Sequence, residues 1–260
     1  MQTLTLKQRE TPYEINEELK VLRTNIQFSG DDKRVILMTS SFSGEGKSTL
    51  SLNLAVSFTE LGRKVLYIDT DMRKSEILSH FERTTLDFGL SHYLSGQCNV
   101  GDIMCKTNVN GLYVIASVQV PPNPSELLAR PRFSALVEAC RKTFDYIIVD
   151  CAPLGMVVDA AVTAPVCDGV LVVLEAGQVT YRMAQDTVAK IEVTGCPIIG
   201  AVLNKVDYSH GSYGYGKYYG RYGKYGKYGR YGKYGYGKYG RYGRYGRYGY
   251  YGSQPEENNK

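Results

Sequence analysis

The residues best suited to chemistry in this 260-residue chain are a glycine loop and three aspartates set at the ends of apolar runs. Ser41-Phe42-Ser43-Gly44-Glu45-Gly46-Lys47-Ser48-Thr49 places two glycines just before a lysine and two hydroxyls. Gly44 and Gly46 let the backbone curl so that successive N–H groups face an anion, Lys47 adds positive charge, and the Ser48 hydroxyl suits Mg²⁺. Ser41 stands where the general pattern G-x-x-x-x-G-K-[ST] has its first glycine. Asp69 and Asp71 follow the apolar run 65–68, and Asp150 follows 146–149. Carboxylates gathered at a phosphate-binding loop can surround a divalent cation and accept a proton from an incoming hydroxyl. Arg73 is suited either to stabilise phosphate charge or to pair with one of the carboxylates.

Such groups converge only if a parallel sheet delivers them to one edge. Residues 35–39 form a short continuous apolar run that enters the glycine loop, as a strand buried on both faces does. Leu50, Leu54, Phe58 and Leu61 then recur at helical spacing up to Gly62, which suits a C′ position. Further strands are predicted at 65–68, 112–116, 146–149, 169–174 and 198–203, with helices near 132–141 and 181–193 and a proline-rich loop at 121–124. Alternation of strands with helix-length segments predicts right-handed crossovers, hence a three-layer α/β/α architecture of the P-loop NTPase kind with a mostly parallel sheet. In such a sheet the ligand crevice lies outside the carboxyl ends of the strands. Before it, Ile15, Leu19, Leu22 and Ile26 predict a helix over 11–28. The chain thus divides into an N-terminal helical segment (1–30), an α/β domain (31–207) and a tail (208–260).

The tail is compositionally separate. It holds 17 of the 23 tyrosines and 11 Lys/Arg against 2 Asp/Glu, a charge of +9, whereas the remainder carries −4. Tyr-Gly-Lys and Tyr-Gly-Arg triplets repeat over 222–234 and 239–249, and with no aliphatic side chain to bury the segment is predicted to be disordered. At 43% hydrophobic and 22% charged residues the chain as a whole has globular composition. Its apolar runs fall far short of the roughly 20 residues needed to span a bilayer, and the N-terminus has no apolar core of a secretory signal, which predicts a cytoplasmic location. Six cysteines without a C-x-x-C pair read as reduced thiols.

Asn204-Lys205-Val206-Asp207 matches the N-K-x-D pattern with which many GTPases read guanine. Three fixed positions make a common coincidence, and ATP is the expected nucleotide, with Asn204 as a base contact.

Taken together, the motifs resemble those of the bacterial tyrosine kinases of capsular and exopolysaccharide assembly, in particular the free-standing cytoplasmic type. The glycine loop is similar to their Walker A motif, Tyr-Ile-Asp-Thr-Asp-Met-Arg-Lys (67–74) to their second, A-prime motif, and Ile-Ile-Val-Asp-Cys-Ala-Pro (147–153) to their Walker B motif. A tyrosine cluster at the C-terminus completes the likeness, which extends over nearly the whole chain. Ser43 replaces the usual proline, and the family's E-x-x-R-x-x-R element reads Glu17-x-x-Lys20-x-x-Arg23.

The resemblance implies an ATP-dependent protein-tyrosine kinase that phosphorylates its own tail in trans and regulates capsular or extracellular polysaccharide synthesis and export. ATP would be held by Ser43, Gly44, Glu45, Gly46, Lys47, Ser48, Thr49, Arg73 and Asn204, and Mg²⁺ by Ser48, Asp71 and Asp150. Lys47, Asp69, Asp71 and Asp150 would be catalytic, with Asp69 nearest the acceptor phenol. Phosphoacceptor candidates are Tyr213, Tyr215, Tyr218, Tyr219, Tyr222, Tyr225, Tyr228, Tyr231, Tyr234, Tyr236, Tyr239, Tyr242, Tyr245, Tyr248, Tyr250 and Tyr251. Implied partners are other copies of the chain, joined through Glu17, Lys20 and Arg23 into an oligomer or ring, a protein-tyrosine phosphatase, and a separate transmembrane polysaccharide co-polymerase. The last would act as an activating adaptor and recruit the kinase to the inner face of the plasma membrane.

Two other functions fit parts of the sequence. One is a partitioning or site-placing ATPase of the same broad fold, disfavoured because Phe42 stands where those enzymes carry a signature lysine. The other is a nucleic-acid-binding tail, which Tyr, Gly and Arg permit by stacking and phosphate contact, though no nucleic-acid partner is expected.

Overall fold

Buried parallel strands must be apolar on both faces, and the runs picked out above meet that demand. The computed structural model describes residues 2–7, 11–82 and 85–207; the expectations for the tail, including every phosphoacceptor tyrosine, lie outside them. The strands are β1 (Thr3–Leu4), β2 (Val35–Ser40), β3 (Val65–Asp69), β4 (Met104–Thr107), β5 (Leu112–Ile115), β6 (Tyr146–Asp150), β7 (Gly169–Glu175) and β8 (Ile198–Asn204). The helices are α1 (Tyr13–Phe28), α2 (Lys47–Thr59), α3 (Leu90–Leu94), α4 (Val100–Ile103), α5 (Pro124–Leu128), α6 (Pro131–Arg141), α7 (Asp159–Thr163) and α8 (Tyr181–Glu192). One eight-stranded sheet has the order β1-β4-β5-β3-β6-β2-β7-β8. All neighbours run parallel except the antiparallel pair β4 and β5.

Side-chain alternation along the strands divides the core in two. Ile36, Met38, Val65, Tyr67, Ile148, Leu171 and Val173 pack with Leu52, Leu54, Ala55 and Phe58 of α2. Val35, Leu37, Leu66, Ile68, Ile147, Val149, Val170 and Val172 face the other way, against Phe133, Leu136 and Val137 of α6 and Ile191 of α8. The predicted three-layer α/β/α architecture is therefore present. The register also sets Asp69 opposite Asp150, so β3 and β6 end level, while β2 pairs Met38 with Asp150 and runs two residues further to Ser40. The six cysteines are free thiols.

Several local expectations are corrected. β1 and β4 carry no apolar run long enough to mark them; β1 exists only because β4 offers an edge, pairing Thr3 with Lys106 and Leu4 with Thr107. The proline-rich loop ends in α5, with Pro124 at its first turn where a missing N–H costs nothing. α2 ends at Thr59 with Glu60 as its C-cap, so Gly62, at φ +72°, lies one residue beyond the C′ position, and Leu61 is exposed. On α1 the apolar stripe holds at Leu19 and Ile26, but Ile15 is exposed and Arg23 is buried at 8%. Arg23 Nη1 donates to the Ser57 carbonyl, to Ser57 Oγ at 3.0 Å and to Glu60 at 3.4 Å, which pins α1 to α2. Glu17 and Lys20 stay outward and pair with each other at 2.7 Å. Arg23 thus bonds within the chain, while Glu17 and Lys20 face outward.

Asp168 fixes the entry to the sheet. Its Oδ2 accepts from Val35 N (2.7 Å), Arg34 N (2.9 Å) and Arg141 Nη1 (2.7 Å). Burial alone would raise this carboxyl, but Arg141 and the two N–H groups outweigh it and hold its pKa below the ordinary 3.8. The contribution is therefore complete above that ordinary value and is lost as pH falls below it through the lower folded one. Asp168→Ala is expected to cost about 1–3 kcal/mol at neutral pH. Urea melts at pH 7 and pH 3 check it, the difference from the parent protein shrinking at the lower pH.

Candidate active site

The glycine loop leaves β2 and turns into α2, so its N–H groups and the helix N-terminus face the same space. Gly46, at φ +80°, occupies a conformation that favours glycine, and a Cβ there would collide with Asn204 Nδ2. Gly44 is also left-handed, at φ +91°, with open space where a Cβ would stand. Glu45 behaves differently from a ligand contact. It is buried, its Oε2 accepting from Phe42 N at 2.7 Å and its Oε1 from Glu175 N at 3.2 Å, which closes the loop on itself and ties it to β7. Ser43 and Thr49 are exposed along the loop and the first turn of α2.

The last strand clasps this loop from outside. Asn204 Nδ2 donates to the Glu45 carbonyl at 2.8 Å, and Lys205 Nζ donates to the Gly44 carbonyl at 2.6 Å while pairing with Glu175 at 2.9 Å. Asn204, expected as a base contact, thus has its amide engaged with the loop backbone. Lys205, with φ 56°, is the single non-glycine residue at positive φ among those described. Within the N-K-x-D run, Lys205 thus holds the loop through the Gly44 carbonyl.

Behind the loop is a buried charge cluster. Lys47 Nζ pairs with Asp150 Oδ1 at 2.7 Å and lies 3.2 Å from Ser48 Oγ. Asp150 also accepts from Ser51 Oγ at 3.2 Å and from the Tyr67 hydroxyl at 2.8 Å. Burial disfavours the Lys47 charge, but the Asp150 carboxylate and its hydrogen bond prevail and keep the pKa above 10.5. Burial, with Asp150 close by, pushes the Tyr67 phenol well above 10. Tyr67 opens the A-prime motif but carries no expected role there, and no motif marks Ser51.

The A-prime loop follows β3. Asp69 is almost wholly buried: Oδ1 accepts from Asp71 N at 3.0 Å, and Oδ2 from Ser75 Oγ at 2.5 Å and Ser117 N at 3.4 Å. Burial and then the Asp150 charge raise its carboxyl to about 8. Asp71 Oδ1 accepts from the N–H groups of Lys74 (3.0 Å) and Arg73 (3.3 Å). Arg73 turns to a residue that no motif singled out, Asp159, at 2.8 and 3.0 Å. Of its two expected uses, the structure displays the ion pair.

Among the described residues no group of three or more His, Cys, Asp or Glu side chains is arranged to hold a metal ion by itself. The expected gathering of three carboxylates is therefore not a cage: Asp69 is turned to Ser75 and Ser117, and Asp150 to Lys47, Ser51 and Tyr67. A sparse set of the Ser48 hydroxyl and nearby carboxylate oxygens does fit Mg²⁺ bound chiefly through phosphate oxygens and water.

Gly155 is a further site residue without a sequence signal. A Cβ there would run into the Ser41 carbonyl, a backbone atom at the start of the glycine loop. Gly155→Ala should cost about 1–3 kcal/mol through overpacking and weaken nucleotide binding as the loop is displaced. Calorimetric titration with ADP checks this, and unchanged affinity would show that the two loops move independently.

A parallel sheet with a clasped glycine loop and acidic strand ends defines a P-loop nucleotide-binding protein, and residues 33–194 match the AAA domain family. The chain is 44% identical to tyrosine-protein kinase CpsD of Streptococcus agalactiae over 203 residues, covering 78% of this chain and 89% of that one. It is 42% identical to tyrosine-protein kinase CpsD of Streptococcus pneumoniae over 222 residues, covering 85% and 98%. The kinase domain of the Escherichia coli tyrosine kinase ETK superimposes with a TM-score of 0.71 at 29% identity, covering 80% of this chain and 85% of that one. The chain belongs to the bacterial tyrosine-protein kinases, and its activity is that of a protein-tyrosine kinase. Among the described residues no helix is long and apolar enough to cross a membrane.

Proposed function

We propose that this kinase transfers the γ-phosphoryl group of ATP to the tyrosines of its own C-terminal tail, from one copy of the chain to another. The observation that carries the reading is the register of three adjacent strands, with Asp69 of β3 opposite Asp150 of β6 and β2 running on beside β6 into the glycine loop. It sets the glycine loop, the Lys47–Asp150 pair and the Asp69–Asp71 loop along one edge of the sheet. Lys47, Ser48 and the loop N–H groups bind the phosphates, and Glu45, Asn204 and Lys205 hold that loop in shape. Ser43 and Thr49 border the same space. Ser48, Asp71 and Asp150 are the residues that would hold Mg²⁺, Asp150 after Lys47 turns towards the phosphates. Mg²⁺, when bound, neutralises charge on the phosphate oxygens.

Asp69 orients the acceptor. Its Oδ2 lies beneath the exposed Ser75, whose hydroxyl donates to it at 2.5 Å. A tyrosine phenol offers the same kind of donor and takes the place of that hydroxyl. In its ionised form, a stronger base than an ordinary carboxylate because its pKa is raised to about 8, Asp69 accepts the phenolic proton late, when transfer is advanced and the oxygen has become acidic. Glycine beside 15 of the 17 tail tyrosines supports entry of the phenol into a cleft, because the backbone there adapts at little steric cost.

The role in capsular or extracellular polysaccharide synthesis follows the family resemblance, as do the membrane adaptor, the phosphatase and the assembly of copies through α1. With Arg23 engaged by Ser57 and Glu60, Glu17 and Lys20 are the parts of that element left for an assembly contact. Incubating the purified chain with labelled ATP and Mg²⁺ tests the central claim. Label on tail tyrosines supports it; free phosphate without labelled protein favours the partitioning type of ATPase.

A further inference from the structure

The Arg73–Asp159 pair joins the two acidic loops of the site. Arg73 stands two residues beyond Asp71 on the loop after β3, and Asp159 opens α7 beyond the loop that follows β6. Asp159 has a side chain 0% exposed, whereas that of Arg73 is 39% exposed, so a fully buried carboxylate holds a cation that reaches the surface. The grip is bidentate, from Nε at 2.8 Å and Nη2 at 3.0 Å, and fixes the plane of the guanidinium as well as its place. Nη1 donates no hydrogen bond to any described residue. The Arg73 N–H also donates to Asp71 Oδ1 at 3.3 Å, so the orientations of Arg73 and Asp71 are linked through one short loop.

A pair of this kind is a poor device for stability alone. Burying a carboxylate costs desolvation that its partner only repays, and a neutral pair of the same shape serves a core as well. The guanidinium offers something a neutral group does not, a donor with positive charge left over after the carboxylate is satisfied. Resting on the kinase reading above, we propose that Asp159 is a positioning residue for phosphoryl transfer. It grips one edge of Arg73, fixes the loop carrying Asp71, and leaves Nη1 to meet the phosphoryl group in transit. The bound group is recognised as a dianionic phosphoryl, which ADP lacks at that place.

The test uses the full chain as enzyme, the full-length Lys47→Met chain as acceptor, and four variants: Asp159→Asn, Arg73→Gln, the double variant and Arg73→Lys. Phosphotyrosine formation gives kcat and KM for ATP, titration gives ADP affinity, and thermal melts report the fold. Asp159→Asn is expected to lower kcat about 10- to 100-fold, the scale of misplacing a catalytic group by about 1 Å, with ADP affinity nearly unchanged. Arg73→Gln should do the same, and the double variant should be no worse than the poorer single one, since the two act as a unit. Arg73→Lys keeps the charge without the fork and should remain deficient. A lowered melting temperature with unchanged kcat would overturn the proposal, as would additive losses or a fall in ADP affinity as large as that in kcat. Failure of the kinase reading is distinct: the unmutated chain would then label no tyrosine, and the same comparison among variants would be read in ATP hydrolysis.

Discussion

Lys47→Met is expected to abolish tyrosine phosphorylation, with a loss of at least 10²–10³-fold in rate, the scale of removing a group aimed at developing charge. The structure adds a second consequence. Lys47 sits against Asp150 at 2.7 Å with both side chains buried, so its removal leaves a carboxylate supported only by Ser51 and Tyr67. Breaking a buried pair from one side costs about 3–5 kcal/mol. For a domain of this size each kcal/mol moves the midpoint by about 2–4 °C, so the nucleotide-free variant should melt on the order of 10 °C lower. Loss of activity in that variant alone would therefore be open to the charge of misfolding. The double variant Lys47→Met/Asp150→Asn separates the two effects, because the neutral amide no longer needs a cation. It should recover most of the melting temperature and none of the activity. Phosphotyrosine at wild-type levels in Lys47→Met would refute the assignment of the phosphate site, and no recovery in the double variant would refute the account of the buried pair.

Transfer between copies predicts an all-or-none result. Residues Met1–Asp207 form one compact unit that contains every element of the site, and the chain removed after Asp207 carries the candidate acceptors. A chain ending at Asp207 should therefore be an active enzyme with no tail of its own to label. Mixed with full-length Lys47→Met, which has acceptors and no working phosphate site, it should place label on the inactive partner. Neither protein alone should gain tail label. The initial rate should rise with the concentration of the truncated chain, as a bimolecular step requires. Absence of label under conditions where the unmutated chain labels itself would mean that each tail is phosphorylated only by the domain to which it is attached. Phosphopeptide mapping of the labelled partner identifies which of the tail tyrosines are used.

The glycine loop and the strand-end aspartates were legible because each is a local pattern in a compulsory context. Residues 35–40, 65–69 and 146–150 are apolar on both faces up to a polar end, and a strand buried in a parallel sheet admits little else. The edge of the sheet was not legible for the complementary reason. β4 spans four residues and β1 two, too short for a period to show; β4 is a strand because β5 pairs with it, and β1 because β4 offers it an edge.

The same division runs through the site. By itself the sequence determined the class of the domain, the phosphate loop, the acidic strand ends and a basic tyrosine-rich tail set apart by composition, since each rests on residues close together in the chain. Only the tertiary structure decided how these groups are paired. Lys47 meets Asp150 across 103 positions, Arg73 meets Asp159 across 86, Asn204 meets the Glu45 carbonyl across 159, and Arg23 turns to Ser57 across 34. None of those separations has a periodicity. They are fixed by the strand order, which follows from burying both faces of the sheet at once, and a charge led into that interior must take whichever partner the order sets within reach.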